Sequence, residues 1–214
     1  DTPTGLCAIQ IVTPKVIVAG GRVGSPTHLM RSTDGGATWV SQSLGNQISM
    51  ITDLYFSSPD TGFVFGGTDA NIQLANAVIL RTVDAGKTWT KVYQSTRPFE
   101  IIWKAHFPTS STGYATLLSY APNTLERFIA KTTDGGLTWN DMPLVSNGAK
   151  AFSVGFLTEN TGWVGCDQSI YETNDGGRSW TPENVGQYVN KSRVLSDTAY
   201  GIGVRIYKMT PAKP

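Results

Sequence analysis

One eight-residue motif occurs four times in this chain of 214 residues and restricts its fold more than any other feature. Each copy has the pattern Ser/Thr-x-Asp-x-Gly-x-Thr/Ser-Trp, and the aspartates of successive copies are 50, 50 and 41 residues apart. The copies are STDGGATW at Ser32–Trp39, TVDAGKTW at Thr82–Trp89, TTDGGLTW at Thr132–Trp139 and TNDGGRSW at Thr173–Trp180. A repeat of about 40–50 residues indicates one structural unit used several times.

A second motif lies upstream of three of these copies and divides each unit into strands. It reads DTGFVFGG at Asp60–Gly67, STGYATL at Ser111–Leu117 and NTGWVGC at Asn160–Cys166, with a fourth copy, DTAYGIG, at Asp197–Gly203. A short apolar run precedes each copy, and short runs of this kind are typical of strands buried on both faces. Each unit therefore predicts four strands: the apolar run, the strand opened by Thr-Gly-aromatic, a strand before the eight-residue motif, and one after it.

Units of this length with four strands each are typical of propeller blades. We predict an all-β fold, a β-propeller of four-stranded antiparallel blades, in a single domain over residues 1–214. Five blades are expected, at approximately 6–44, 48–95, 99–144, 150–184 and 188–209. The last unit supplies three strands, so its outer strand would have to come from Asp1–Gly5 or from another chain.

The eight-residue motif has a turn chemistry of its own, between strands three and four. An Asp carboxylate accepts hydrogen bonds from the backbone N–H groups that follow it, and the glycine permits a positive φ. The tryptophan opens strand four, where it can bury a large apolar area. We interpret these residues as structural because the same chemistry recurs in every unit. They are Asp34, Gly36, Trp39, Asp84, Gly86, Trp89, Asp134, Gly136, Trp139, Asp175, Gly177 and Trp180.

With these residues the motif resembles the Asp box, also called the bacterial neuraminidase repeat. Its pairing with Thr-Gly-aromatic is similar to the photosystem II stability/assembly factor-like propellers, over roughly residues 6–209. The resemblance implies the fold and leaves the function open, since sialidases, sortilin-type receptors, xyloglucan hydrolases and lectins share the box. Members of the assembly-factor group usually have seven blades, whereas this chain has room for about five.

The amino-acid composition argues against several classes of function. Net charge is +1 and charged residues are 15%, so nothing favours binding to nucleic acid. No apolar run reaches the length of a membrane span. Cys7 and Cys166 are expected to be buried free thiols, with a single disulfide as the alternative, and neither His28 nor His106 belongs to a metal-binding cluster. We expect no cofactor and no metal, and the composition favours an exported protein, whether periplasmic, lumenal, cell-surface or extracellular.

An enzyme is not favoured. A sialidase needs an arginine triad, but Arg31 and Arg81 share one repeat position with Lys131 and Glu172, which indicates blade architecture. A glycosidase needs two carboxylates facing each other across a cleft, and nothing in the sequence pairs any two of them.

A binding or scaffolding module is the preferred hypothesis, with a carbohydrate-binding module or a glycoside hydrolase-type propeller as the alternative. Long loops that do not repeat join strands two and three of the first three units, at the end opposite the Asp boxes, and such loops are where function usually lies. We predict that they form one rim that binds another protein, with carbohydrate as the second choice of ligand. The candidate rim residues are Arg22, His28, Asp69, Gln73, Tyr120, Asn123, Glu126 and Arg127.

Overall fold

The computed structural model describes residues 5–21 and 27–210 and contains 19 β-strands. No helix occurs among these residues, so none of them forms a helix that could cross a membrane. The chain divides into two compact units, residues 1–102 and 103–214, with the boundary inside strand β9. That both units belong to one domain stays a prediction.

The strands form five antiparallel sheets, which we call blades one to five in chain order. Blade one contains β1 (Ala8–Ile11), β2 (Ile17–Gly20), β3 (His28–Ser32) and β4 (Val40–Ser43); blade two contains β5 (Met50–Phe56), β6 (Gly62–Gly67), β7 (Ala77–Thr82) and β8 (Thr90–Gln94). Blade three contains β9 (Glu100–His106), β10 (Gly113–Ser119), β11 (Glu126–Thr132) and β12 (Asn140–Ser146); blade four contains β13 (Ala151–Phe156), β14 (Gly162–Cys166), β15 (Ile170–Thr173) and β16 (Thr181–Pro182). Blade five contains β17 (Lys191–Leu195), β18 (Thr198–Ile202) and β19 (Ile206–Met209).

The predicted fold class is confirmed: the strands are antiparallel, they follow one another in order within each sheet, and the Asp boxes join strands three and four. Burial follows the strand order. Every residue of β6, β10 and β14, the second strands of their blades, is buried, whereas the fourth strands are largely exposed. Blade five has three strands. Of the residues predicted for its outer strand, Asp1 to Thr4 lie outside the described part of the chain.

Unit 1 has an apolar core between blades one and two. Val18 and Leu29 of blade one pack with Leu54, Val64 and Leu80 of blade two. Polar pairing supplements this contact, because the Gln10 amide donates to the Phe56 carbonyl (2.8 Å) and accepts from the Phe56 N–H (2.7 Å). The two blades are therefore fixed in register along their first strands.

Unit 2 repeats this construction twice. Between blades three and four the rings of Tyr114 and Phe156 stack with centroids 3.6 Å apart. Between blades four and five Trp163 packs with Val189 and Ala199. Like unit 1, unit 2 is held together mainly by blade-to-blade burial of apolar side chains.

The Thr-Gly-aromatic motif has a steric explanation. In blade three, a Cβ on Gly113 would lie within 2.5–2.8 Å of the Phe107 ring. In blade four, a Cβ on Gly162 would collide with the Phe156 ring. Each Phe in turn meets the Trp of the Asp box of its own blade edge-on, as Phe107 does with Trp139 at 5.7 Å. The same arrangement joins Gly62, Phe56 and Trp89, and Gly162, Phe156 and Trp180. The glycine thus lets a Phe lie flat on the backbone beneath the box tryptophan.

Blade one lacks this arrangement, and its tryptophan is more exposed than the other three box tryptophans. The repeat places Ile11 and Ile17 at the positions of the Phe and the Gly. Trp39 is 39% exposed, compared with 7% for Trp139. Ile9 and Ile11, on the face of β1 turned away from blade two, are 68% and 69% exposed. The expected burial of the box tryptophan therefore does not extend to Trp39.

Neither cysteine forms a disulfide within the described part of the chain. Cys166 is buried in β14, and its burial raises the pKa of the thiol. Cys7 is exposed, which corrects the expectation that both thiols are buried. It directly precedes β1, whose residues alternate between half-buried and exposed.

Candidate functional site

The four Asp boxes share one hydrogen-bond pattern. In each box the aspartate Oδ2 accepts from the hydroxyl of the Thr or Ser four residues later at 2.6 Å, and Oδ1 accepts from the N–H of that residue at 2.9–3.0 Å. The Ser or Thr that opens the box donates to Oδ1 and accepts from the glycine N–H. The box glycines have positive φ, from 80° at Gly136 to 95° at Gly36. Each box therefore satisfies the carboxylate of its aspartate and the hydroxyl of the Ser or Thr that opens it.

These hydrogen bonds keep the box aspartates ionised. Donation from the Thr or Ser hydroxyl, followed by donation from backbone N–H groups, lowers the pKa of Asp34, Asp84, Asp134 and Asp175 to about 2. A carboxyl group with so low a pKa is a poor general acid or base near neutral pH. The geometry is that of a repeated turn.

Acid should weaken the boxes. The folded-state pKa of Asp175 lies below the ordinary value near 4, so its contribution to stability is complete above about pH 4 and is lost as pH falls toward 2. We expect Asp175→Asn to lower the free energy of unfolding at pH 7 and to flatten its fall between about pH 4 and 2. Urea unfolding followed by fluorescence at a series of pH values tests this. Parallel pH profiles for parent and variant would contradict it.

The predicted rim residues within the described part of the chain are distributed among loops and strands. In unit 1, His28 is half-buried in β3, while Asp69 and Gln73 lie in the loop between β6 and β7, where Asp69 Oδ1 accepts from the Asn71 N–H at 2.8 Å. Arg22 lies outside the described residues. In unit 2, the loop between β10 and β11 exposes Tyr120 and Asn123, and Glu126 is exposed at the start of β11.

Arg127 is not displayed on the rim. It is 5% exposed, and its guanidinium donates to the carbonyls of Thr124, Glu126, Gly148 and Ala149 at 2.8–3.3 Å. This side chain fastens the loop between β10 and β11 to the segment before blade four. Its burial corrects its prediction as a surface residue.

Several loops of unit 2 form a connected surface at the end of the blades opposite the Asp boxes. They comprise residues 120–125, 147–150, 167–169, 184–190 and 203–205, and we call this surface the loop end of unit 2. The Lys150 ammonium lies 5.0 Å from the centre of the Tyr120 ring, and the Lys150 N–H donates to Asp167 Oδ1 at 2.8 Å. The Asp167 carbonyl accepts from the Tyr188 N–H at 3.2 Å. The Val204 N–H donates to the Gln187 carbonyl at 3.1 Å, so blades three, four and five all contribute.

Tyr188 is the most unusual residue of the loop end. Its φ is 51°, in the left-handed region that a bulky side chain rarely adopts, and it is 59% exposed. Val185 and Val204 are 54% and 65% exposed. Strained backbone is found preferentially at binding and active sites. No sequence pattern predicts this residue, because turn patterns assign positive φ to Gly and Asn.

One carboxyl pair occurs in unit 2. Glu172 of β15 is buried and accepts from the Asn174 side chain, and Glu183 follows β16. Burial, together with a hydrogen bond and repulsion from Glu172, raises the pKa of Glu183. The two carboxyl groups therefore lie close enough to influence each other's ionisation. No cluster of three or more His, Cys, Asp or Glu able to hold a metal ion occurs in residues 5–21 and 27–210.

Several solved structures are similar to this chain. An ancestral GH74 enzyme is 14% identical with a TM-score of 0.66, and the match covers 92% of this chain and 27% of the enzyme. The α-L-arabinanase of Penicillium chrysogenum complexed with arabinobiose is 13% identical with a TM-score of 0.60, over 95% of this chain and 80% of that one. YCF48 bound to D1 peptide is 13% identical over 97% and 93% of the two chains, with a TM-score of 0.45.

The predicted resemblance to propellers is confirmed by the GH74 and arabinanase structures, which at these identities show the fold alone. The chain spans about a quarter of the GH74 enzyme. No protein-family model matches the sequence. No curated protein matches it either.

Proposed function

We propose that this chain is a non-catalytic binding propeller and that it engages a protein partner through the loop end of unit 2. The observation that carries the proposal is Tyr188, an exposed ring held on a left-handed backbone. A strained conformation persists only where the surrounding structure imposes it. Here the Tyr188 and Val189 N–H groups donate to the carbonyls of Asp167 and Cys166 and impose that conformation. The ring is thereby held in a fixed position before a partner arrives, which lowers the entropy lost on binding.

The apolar residues of the loop end favour a protein over a sugar. Leu125, Val185 and Val204 are each more than half exposed on the same loop end. Exposed aliphatic side chains beside tyrosines are typical of protein interfaces, whose strongest contacts are aromatic residues surrounded by apolar ones. A sugar site would surround its aromatic ring with hydrogen-bonding groups instead.

The carboxylates of unit 2 support a non-catalytic role. Glycosidases hold their two carboxyl groups about 5–9.5 Å apart so that the sugar and a water fit between them. Glu172 is buried and accepts from the Asn174 side chain, a bond that holds it within its own blade. Asp167 accepts the Lys150 N–H, a bond that positions a loop.

The rest of the rim hypothesis stays a proposal. Asp69 and Gln73 of unit 1 are further candidate contacts for the partner. We also infer from the low content of charged residues, 15%, that binding takes place in an exported compartment.

Selection from a phage-displayed library of random peptides tests the proposal. We expect enriched peptides whose dissociation constants rise at least tenfold for Tyr188→Gly and for Tyr120→Ala. Glycine adopts a φ of 51° without strain, so Tyr188→Gly should leave the free energy of unfolding within about 1 kcal/mol of the parent.

Two variants serve as controls. Tyr200→Ala removes a tyrosine of similar exposure (38%, compared with 40% for Tyr120) from β18, outside the loop end. Ser196→Gly changes another residue with left-handed backbone, at φ 55°. Both should bind the peptides as the parent does. Failure to enrich any peptide, or equal binding by Tyr188→Gly, would overturn the proposal, and binding to a glycan array that depends on Tyr188 would favour the carbohydrate alternative instead.

A further inference from the structure

Unit 1 contains a cleft that lies outside the loop ends. It separates strands β3 and β4 of blade one from the Asp-box turn of blade two and has a volume of about 320 Å³. A volume of this size lies at the lower end of the range for small-ligand pockets. The residues that line it are Arg31, Thr33, Thr38, Val40, Gln42, Ala85 and Lys87.

Two polar atoms at this cleft lack hydrogen-bond partners among the described residues. They are Arg31 Nη1 and Gln42 Oε1, and both are shielded from solvent. The other terminal nitrogen of Arg31 donates to the Pro59 carbonyl at 2.8 Å, which fixes one side of the guanidinium and leaves the other unused. Burial lowers the pKa of this guanidinium, and the Asp60 carboxylate acts in the opposite direction. An unpaired donor and an unpaired acceptor in one cleft are costly unless something binds there.

The backbone at the cleft is also unusual. Ala85 has a φ of 64°, at the box position where the other three copies have Gly35, Gly135 and Gly176. Alanine is strained at this φ, and glycine would not be. Ala85 lines the cleft, and unlike glycine it carries a methyl group at this position.

The equivalent place between blades three and four shows how the fold looks without these features. Lys131 replaces Arg31, and its ammonium donates to the Gly176 carbonyl at 2.8 Å. Met142 replaces Gln42, and Gly176 replaces Ala85. Blade packing therefore requires neither the unpaired donor, nor the unpaired acceptor, nor the strained alanine.

We propose that the cleft in unit 1 binds a small hydroxylated carboxylate with the chemistry of an acidic monosaccharide. The carboxylate pairs with the Arg31 guanidinium, and the Lys87 ammonium supplies a second positive charge. A ligand hydroxyl donates to Gln42 Oε1, and the carbon skeleton contacts Val40 and Ala85. A small rotation of the terminal groups of Arg31 and Gln42 exposes the two unpaired atoms to the ligand, which replaces the partners that the protein does not provide.

Titration of the isotope-labelled protein with D-glucuronate, followed by NMR, tests this site. We expect shift changes at Arg31, Gln42, Ala85 and Lys87, and a dissociation constant at least tenfold lower than for D-glucose, which has the ring without the carboxylate. N-acetyl-glycine, a monocarboxylate without the sugar ring, should also bind at least tenfold more weakly. Equal binding of glucose would show that the carboxylate is not recognised, and equal binding of N-acetyl-glycine would show that the sugar ring is not recognised. Either result would overturn the proposal.

The chain supplies its own matched variants. Arg31→Lys with Gln42→Met installs the residues of blade three in blade one and should raise the dissociation constant for glucuronate at least tenfold while the melting temperature is retained. The reciprocal control, Lys131→Arg with Met142→Gln, changes unit 2 and should bind as the parent does. Shift changes absent from the cleft, or unaltered affinity in the first variant, would show that only water occupies the cleft and would overturn the proposal.

Discussion

Trp139→Ala should lower the free energy of unfolding by about 3–5 kcal/mol. The indole is 7% exposed and packs edge-on against Phe107 with ring centroids 5.7 Å apart. Its removal loses the burial of a large apolar side chain and leaves a cavity that the antiparallel strands around it cannot close. Urea unfolding measures the cost, and the transition should be followed by far-UV circular dichroism because the variant also loses a fluorophore.

Trp39→Ala is the matched control, since Trp39 occupies the same position of the Asp box. It is 39% exposed and has no Phe beside it at the repeat position, where blade one has Ile11. We expect a loss of about 1 kcal/mol, because much less apolar surface is removed from contact. Acrylamide should quench the fluorescence of Trp39 more readily than that of Trp139. Equal costs for the two substitutions would show that exposure does not control the role of the box tryptophan.

The repeat made the fold predictable. Its turns carry their own chemistry in a few adjacent residues, so the Asp boxes place strands three and four without knowledge of the rest of the chain. The hydrogen bonds of Asp134 to Thr138, for example, lie within five residues. The spacing of the motifs and the apolar runs then predict the remaining strands. They also predict that the described part of blade five has three strands and no fourth.

The exposure of individual side chains was less predictable, because it depends on residues distant in sequence. Arg127 is buried by carbonyls of Gly148 and Ala149, which belong to the next connection, so its loop position alone indicated a surface residue. Trp39 is exposed in a blade that has Ile11 and Ile17 at the Phe and Gly positions of the other Asp-box blades. Tyr188 is held in left-handed backbone by Asp167, a residue of another loop.

Arg31 shows that a shared repeat position does not predict every hydrogen bond of a side chain. Arg31 occupies the same repeat position as Arg81, Lys131 and Glu172, which indicates a role in blade architecture. Lys131 has that role, because it donates a hydrogen bond to the neighbouring blade. Arg31 also bridges, through one nitrogen, but its second nitrogen has no partner among the described residues. A residue at a structural repeat position can thus keep hydrogen-bond donors that its structural role does not use, and only the folded structure shows which ones.

Gly113 and Gly162 are the Thr-Gly-aromatic glycines of unit 2, and Gly162→Ala should lower the free energy of unfolding more than Gly113→Ala. The new methyl group would collide with the Phe156 ring, and that ring cannot retreat because it stacks on Tyr114 with centroids 3.6 Å apart. Overpacking of this kind costs about 1–3 kcal/mol, and we expect a value near the upper end. No unfavourable backbone angle contributes, since Gly162 does not have positive φ.

Gly113→Ala places a methyl group against Phe107, and it tests whether the freedom of the neighbouring ring decides the cost. Phe107 is half-buried and so has room to move, so we expect a loss near 1 kcal/mol. Blade five has a Cβ at the glycine position and a smaller side chain opposite it. Val194 pairs with Ala199 there, whereas Phe156 pairs with Gly162 in blade four. Gly162→Ala with Phe156→Val should therefore cost less than the sum of the two single substitutions, by at least about 1 kcal/mol. Additive costs, or equal costs at Gly162 and Gly113, would show that the glycine serves the backbone and does not make room for the ring.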